Sequence, residues 1–221
     1  MTCPQRETRV DIESRFSQLI RATCCPFART ATIAYAPVWE NGISARENAV
    51  RTMSDLNVFV EDSASQALDL FVIEIRDRTL TSTLPAFAKT LRDVLFAFAE
   101  RDPLRSQLLT EGIESPEWNF DYRGVDFFVP TFAPFYPPEH TRYSQDELSA
   151  FIVLQPDHSF SRRGINSQSP HRERLTSQTR DLFESMGYQY NVNLITGTPK
   201  ALRYVHPVDP FGTPIRWWET Q

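Results

Sequence analysis

The sequence predicts an α+β fold in which helices pack on a mostly antiparallel or mixed central sheet, with residues 1–221 forming a single domain. Segments with helical and with strand-like spacing of apolar residues follow one another irregularly, whereas a doubly wound fold would alternate them regularly. No Ser/Gly-rich or charge-only linker divides the chain, and it contains no internal repeat. A chain of this length buries about 70% of its unfolded surface, so it can form a core without disulfides.

Three elements are predicted in the first quarter of the chain. Apolar residues at near-helical spacing indicate a helix over Arg9–Ala22, which leads into the turn Thr23-Cys24-Cys25-Pro26-Phe27. A segment rich in strand-forming residues indicates a strand over Thr30–Trp39, ended by a polar turn at residues 40–42. A second helix is predicted over Ser44–Leu56.

The middle of the chain contains the clearest signals. An almost wholly apolar run indicates a mostly buried strand over Asp69–Arg76. The best-defined helix follows, because Thr83 suits its N-cap, Pro85 suits its first turn, and one apolar stripe continues to Phe98. A shorter helix is predicted over Pro103–Ile113.

The last third of the chain is predicted to alternate strands and one helix. Two strands, Val125–Phe132 and Ala150–Leu154, flank a loop that contains a histidine. A helix follows over Pro170–Met186, with Gly187 as its C-terminal stop. A short strand over Leu202–His206 precedes a proline-rich tail.

Composition favours small-molecule chemistry. The formal net charge is -5 and the sequence pI is about 5.4. The Lys and Arg residues are scattered along the chain, so electrostatic binding to nucleic acid or anionic lipid is not expected. Aromatic residues make up 12% of the chain, which suits a broad apolar cavity. Neither G-x-G-x-x-G nor G-x-x-x-x-G-K-[ST] is present, which disfavours NAD(P), flavin or ATP bound through those loops.

The sequence also predicts a cytoplasmic protein. No run of about 18 apolar residues exists, and the polar segment Met1–Arg9 lacks the hydrophobic core of a signal peptide. Cys24 and Cys25 are adjacent and would form only a strained disulfide, which leaves Cys3 near the terminus. We therefore expect reduced thiols.

The loop Tyr136–Ser144 is the most informative stretch, because His140 lies there two residues before Arg142. Imidazole is a good ligand for a metal or heme iron, and Glu139 or a loop carbonyl could orient its other nitrogen. The alternative is a surface or capping imidazole. The other histidines, in less informative contexts, are His158, His171 and His206. No motif has zinc-like spacing.

Cationic and sulfur-containing residues add candidates for a cofactor site. Arg142, with Arg162 and Arg163, is expected to neutralise carboxylates such as heme propionates, and exposed arginines are the ordinary alternative. The Cys25 thiolate could ligate heme or attack a substrate, although a buried inert thiol is the commoner outcome.

Acidic residues before the Val125–Phe132 strand are candidates for substrate binding. If the segment is extended, Glu117 and Asp121 lie on one face, where two carboxylates could receive an ammonium or guanidinium group. A solvated strand edge is the alternative. No G-x-S-x-G elbow or comparable motif indicates a hydrolase triad.

Taken in order, these motifs resemble the YqcI/YcgG family, which includes heme-dependent N-oxygenases of amino acids or their guanidine groups. The similarity lies in the turn Cys25–Ala28, the His140–Ser144 run, the strand with Phe151 followed by Gln155-Pro156, and a late segment that ends in tryptophan. The resemblance implies a b-type heme with His140 as its axial ligand and Arg142 beside it. The doubled cysteine at Cys24-Cys25 departs from the family pattern of Phe-Pro-Cys before this turn.

The resulting hypothesis is a heme enzyme that uses O2 and external electrons to oxidise the side-chain nitrogen of a free amino acid or related amine. Glu117 and Asp121 would bind the cationic nitrogen, and a separate donor or reductase would supply electrons, since no reductase motif is present. A homodimer is compatible with the sequence. The alternatives are a non-catalytic heme- or small-ligand-binding protein and a helper protein with an aromatic groove for a partner chain.

Overall fold

The computed structural model describes residues 7–23, 25, 27–104, 109–164, 170–196 and 198–220. Within them a mixed sheet has the strand order β1-β2-β6-β4-β3, and β5 pairs with β6 on the same side as β4. β1 and β2 are parallel, and every other pairing is antiparallel. The strands are β1 (Ile33–Tyr35), β2 (Leu70–Ile75), β3 (Phe120–Tyr122), β4 (Val125–Phe128), β5 (Thr131–Phe132) and β6 (Ala150–Pro156).

Helices pack on this sheet, which confirms the α+β fold with a mixed sheet. The α-helices of the described residues are α1 (Arg9–Ala22), α2 (Ala45–Asp62), α3 (Arg78–Thr81), α4 (Leu84–Ala99), α5 (Asp157–Arg162), α6 (Pro170–Ser185) and α7 (Val192–Thr196). Short 3₁₀ helices cover Ala28–Thr30, Lys200–Arg203 and Trp217–Glu219. No helix in the described part of the chain is long and apolar enough to cross a membrane.

The two central strands are apolar on both faces because both faces are covered. One face of β2, with Phe71 and Ile73, packs in the core that includes residues of α2 and α4. On the opposite face Val72 and Phe151 pack against Phe16 and other residues of α1. Side chains alternate across a strand, so a strand between two apolar layers loses the usual alternation of apolar and polar residues.

An ion pair fixes α1 on its face of the sheet. The Arg15 guanidinium donates two hydrogen bonds to the buried Glu74 carboxylate, at 2.6 and 2.5 Å. Such a bidentate pair sets orientation as well as distance. It positions the apolar side of α1 over the β2–β6 face, where the cavity described below lies.

The strongest sequence signals give the correct elements. The structure confirms the helix over Arg9–Ala22 and a buried strand within 69–76. At the start of α4 the Thr83 hydroxyl accepts a hydrogen bond from the amide of Ala86, as an N-cap should. The helix predicted to start at Ser44 continues beyond Leu56 to Asp62.

Two predicted elements are wrong. The described residues of 103–113 form turns, because the Asp102 carboxylate accepts hydrogen bonds from the amides of Leu104 and Arg123 and holds the chain in a loop. Residues 202–206 form no strand, because a 3₁₀ helix occupies Lys200–Arg203 and tightens the chain instead.

Two predicted strands are shorter than expected. Of Thr30–Trp39 only Ile33–Tyr35 is extended in the sheet. The strand predicted over Val125–Phe132 is divided into β4 and β5, because Pro130 has no amide to donate to the ladder. The carbonyl of Pro130 still accepts a hydrogen bond from the amide of Val153, so both parts lie along the same edge of β6.

Candidate functional site

A cavity of about 630 Å³ lies between α1, the face of the sheet that α1 covers, and the segments around residues 119, 142, 183 and 206. Its volume falls within the range of about 300–1,000 Å³ that is typical of small-molecule sites. Aromatic and aliphatic side chains form much of the wall, among them Phe16, Leu19, Phe128, Phe132, Phe160 and Phe183. The aromatic cavity expected from the composition is therefore present.

Arg142 is the buried cation of this cavity. Its guanidinium lies over the ring of Phe132 at 5.3 Å, and one of its terminal nitrogens, Nη2, is 3.1 Å from Nε2 of His206 and 3.4 Å from the carbonyl oxygen of Arg203. The residue is only 7% exposed. Burial lowers the pKa of Arg142 to about 10, so the guanidinium stays charged at neutral pH.

His206 lies beside Arg142 on the cavity wall as a neutral imidazole. Because Arg142 can only donate, Nε2 of His206 must accept its hydrogen bond. Burial and the neighbouring positive charge of Arg142 hold the pKa of His206 well below its usual range. The sequence placed this residue in an unremarkable context before a proline, and only the fold brings it to Arg142.

His140 does not face the cavity in the way that an axial ligand requires. Its Nδ1 accepts a hydrogen bond from the amide of Arg142 at 3.0 Å, and its Nε2 lies 3.1 Å from the carbonyl oxygen of Pro207, to which it therefore donates. Both ring nitrogens are used, the residue is buried, and it is absent from the cavity lining. The geometry disagrees with the expectation that His140 binds iron.

His140 instead ties together the segments that form the inner end of the cavity. Its ring stacks on Tyr136 with centroids 4.3 Å apart and planes 8° apart. The Tyr136 hydroxyl donates a hydrogen bond to the carbonyl oxygen of His206 at 2.7 Å. Together with the bond from His140 to Pro207, this contact fixes the backbone that carries His206 against the loop that carries Arg142. We call Tyr136 and His140 the ring clamp.

Cys25 and Tyr190 also line the cavity. Cys25 is a free, partly buried thiol, and no hydrogen bond to its sulfur occurs within the described ranges. The Tyr190 ring stacks on Phe183 at 5.5 Å, and burial raises the pKa of its phenol. Its position between two helices gave no sequence signal.

Arg162 and Arg163 bind an internal carboxylate, which corrects the expectation that they hold heme propionates. Arg162 contacts one oxygen of buried Asp69 at 2.9 Å, and Arg163 contacts the other at 2.8 Å. Arg163 also donates to Thr30, and it lines the cavity together with Asp69. We call Asp69 with Arg162 and Arg163 the Asp69 fork. It forms part of one cavity wall, and both of its arginines are already paired.

Replacing Asp69 by Asn should loosen this wall. The Asp69→Asn variant keeps one oxygen acceptor but removes the charge shared by Arg162 and Arg163, so we expect a loss of about 2 kcal/mol of unfolding free energy in urea titrations. Asp93→Asn is the matched control, because the more exposed Asp93 pairs only at 3.4 Å or beyond with Arg92 and Lys89. Equal stability of the two variants would contradict a role for the fork.

Acidic side chains mark the opening of the cavity. Glu117, Asp126 and Asp157 all line it and all are exposed, so the cavity meets solvent there. Although Asp126 is exposed, partial desolvation of its carboxyl by the surrounding wall, followed by the neighbouring charge of Asp157, raises its pKa, while Lys200 lies close enough to act in the opposite direction. Glu117 therefore lies on the cavity lining, and its role in substrate binding stays a prediction.

Asp121 is absent from the lining, unlike its expected partner Glu117. It lies opposite Asp126 in the β3–β4 pair, and the amide of Gly124 donates a hydrogen bond to it. Asp126 takes the place that was predicted for Asp121. The alternation of Asp126 with Phe127 in the sequence was the available signal, since it places Asp126 on the face opposite the core.

The remaining histidines contribute no metal site within the described ranges. His158 is absent from the cavity lining, and its buried Nε2 has no partner there. The side chain of His171 lies outside the described residues. Among the residues described, no three His, Cys, Asp or Glu side chains are grouped to hold a metal ion.

Comparison with known proteins places the greater part of this chain in a single family. The family model described as the YqcI/YcgG family matches residues 21–197. That range includes α2, α4, the whole sheet and much of the cavity wall, including Arg142, but it ends before His206. No curated protein and no solved structure matches the chain significantly.

Proposed function

We propose that this chain, which belongs to the YqcI/YcgG family, is a heme-dependent N-oxygenase that oxidises the amine or guanidine nitrogen of a free amino acid or related amine. The observation that carries the proposal is the aromatic cavity, which combines a buried cation at its inner end with carboxylates at its opening. In the simplest reaction one oxygen atom of O2 forms a hydroxylamine, and the other becomes water with two electrons and two protons from a donor.

The wall of the cavity supports heme binding with a different ligand from the one first expected. Cys25 and His206 carry atoms that bind iron, and both line the cavity. Nε2 of His206 already accepts a hydrogen bond from Arg142, whereas the Cys25 sulfur has no hydrogen bond within the described ranges. We therefore propose Cys25 as the residue that would hold the iron. Heme, when bound, would supply the activation of O2.

The chain's own residues would bind and orient the substrate. Glu117, Asp126 and Asp157 make the opening attractive to a cation, so a lysine-like or arginine-like side chain is drawn toward it. The aromatic rings exclude water from the interior, which strengthens each polar contact made there. The electrons would come from a separate donor or reductase, in a protein that we propose to be cytoplasmic.

Reconstitution with hemin tests this proposal. The purified protein should show a Soret band with hemin, and with O2 and a chemical reductant it should add one oxygen atom to an arginine-like or lysine-like amino acid, detected by mass spectrometry. Thiolate ligation should shift the band of the ferrous-carbonyl form far to the red. Cys25→Ser should abolish that shift, while His140→Gln should retain it.

The controls separate the parts of this proposal. Glu61→Gln, at an exposed residue of α2 that is absent from the cavity lining, should leave turnover unchanged, whereas Asp126→Asn should raise KM severalfold. A protein without any Soret band after incubation with hemin would refute the heme enzyme. Two alternatives would then remain, a heme-free protein that binds a small ligand in the same cavity and a helper protein whose aromatic groove binds a partner chain.

A further inference from the structure

The unpaired charge of Arg142 is the least expected feature of the cavity. Within the described ranges no carboxylate contacts its guanidinium, and Nε and Nη1 have no hydrogen-bond partner there. A buried charge without a counter-ion costs several kcal/mol. By contrast, the less buried Arg15, Arg162 and Arg163 each contact a buried carboxylate, that of Glu74 or Asp69.

The neighbours of Arg142 orient the guanidinium without neutralising it. His206 is a neutral acceptor, the carbonyl of Arg203 is a second acceptor, and Phe132 presents a ring face to the cation. The donors that remain unused belong to a side chain that lines the cavity. An anion bound there would meet a cation that is already desolvated and held in place.

Two further features make this position suitable for binding an anion. The ring clamp fixes the backbones of Arg142 and His206, and the contacts of Nη2 with His206 and with the carbonyl of Arg203 hold the guanidinium at the cavity wall. Tyr190 lines the same cavity as Arg142, and its hydroxyl can donate a second hydrogen bond to a group bound there. A planar group that accepts two or three hydrogen bonds fits such an arrangement.

We propose that Arg142, oriented by His206 and assisted by Tyr190, forms a carboxylate-binding site at the inner end of the cavity. The planar fork of a guanidinium matches the two oxygens of a carboxylate. The carboxylate could belong to the substrate or to a heme propionate, and Arg142 would bind either one in the same way. The assignment rests on the proposed function only for the identity of these ligands.

Paired ligands that differ only in the carboxylate test the site. L-arginine is compared with agmatine, which lacks the carboxylate, and hemin is compared with hemin dimethyl ester, by calorimetry and by absorbance titration. Arg142→Gln should weaken at least one carboxylate ligand about tenfold or more and leave its carboxylate-free partner unchanged. The ligand pair that responds identifies the source of the carboxylate.

Two variants guard against a general effect on folding. Arg142→Lys keeps the charge but loses the fork, so it should retain part of the affinity and also serve if the glutamine variant does not fold. Arg51→Gln, at a half-exposed residue of α2 that pairs with Glu40, should bind like the wild type.

The outcomes distinguish this site from the proposed function. A wild-type protein that prefers L-arginine to agmatine but takes up no hemin would support the site and refute the heme enzyme. The site is refuted if Arg142→Gln weakens neither carboxylate ligand more than its carboxylate-free partner, or if the wild type binds no carboxylate ligand.

Discussion

A His140→Ala variant is expected to lose about 3–5 kcal/mol of unfolding free energy. The substitution leaves the amide of Arg142 and the carbonyl of Pro207 buried without partners, and each such loss costs about 1–3 kcal/mol. It also removes the ring that stacks on Tyr136 and leaves a cavity in its place. Urea titration with the change followed by tryptophan fluorescence measures the effect directly.

Two polar replacements separate the hydrogen bonds that His140 makes. His140→Asn can keep an acceptor for the amide of Arg142, and His140→Gln can keep a donor for the carbonyl of Pro207, so each should restore about 1 kcal/mol relative to alanine. His158→Ala is the matched control and should cost less than about 1 kcal/mol, because Nε2 of His158 has no partner within the described ranges and the backbone carbonyl of Ser63, to which the ring is hydrogen-bonded, also accepts from Arg162. A fully stable His140→Ala protein that has lost its heme spectrum would restore His140 as an iron ligand.

The sequence predicts those parts of the fold where local pattern and tertiary packing agree. The helix Arg9–Ala22 and the capped helix at Thr83 have both an apolar stripe and suitable termini. The turns after Pro103 depend on the distant contact between Asp102 and Arg123, which no local pattern contains. The same is true of the residues after Lys200, where the Tyr204 hydroxyl donates to the carbonyl of Phe127.

The sequence predicts only part of the candidate site, for a similar reason. The sequence predicts a functional loop at His140 and Arg142, and the structure places Arg142 on the cavity wall, but no local pattern shows that His140 faces backbone groups rather than the cavity. The pairing of Arg163 with Asp69 and the approach of His206 to Arg142 join residues 94 and 64 positions apart. A charge pattern along the chain does not determine which acid meets which base.

Two buried neutral histidines give the fold a specific dependence on pH. Burial and the charge of Arg142 lower the pKa of His140 to about 4, and the same causes hold the pKa of His206 well below its usual range. In the unfolded chain both imidazoles titrate near 6.5. Between these values the unfolded state binds more protons than the native state, so the free energy of unfolding must fall as the pH falls.

The ligand-free protein should therefore lose stability steadily from about pH 6.5 to about pH 4, with roughly 3 kcal/mol lost through His140 alone and a further loss through His206. Carboxylates with lowered pKa, such as Asp69, add to this loss mainly below that window. Urea titrations at pH 7.0, 6.0 and 5.0 measure the slope, which should be reduced in His140→Gln and again in His206→Gln. Histidines with an ordinary pKa would give no such slope. A flat profile from pH 7.0 to 5.0 would show that His140 and His206 bind protons as readily in the native state as in the unfolded chain, which would contradict their burial as neutral hydrogen-bond acceptors.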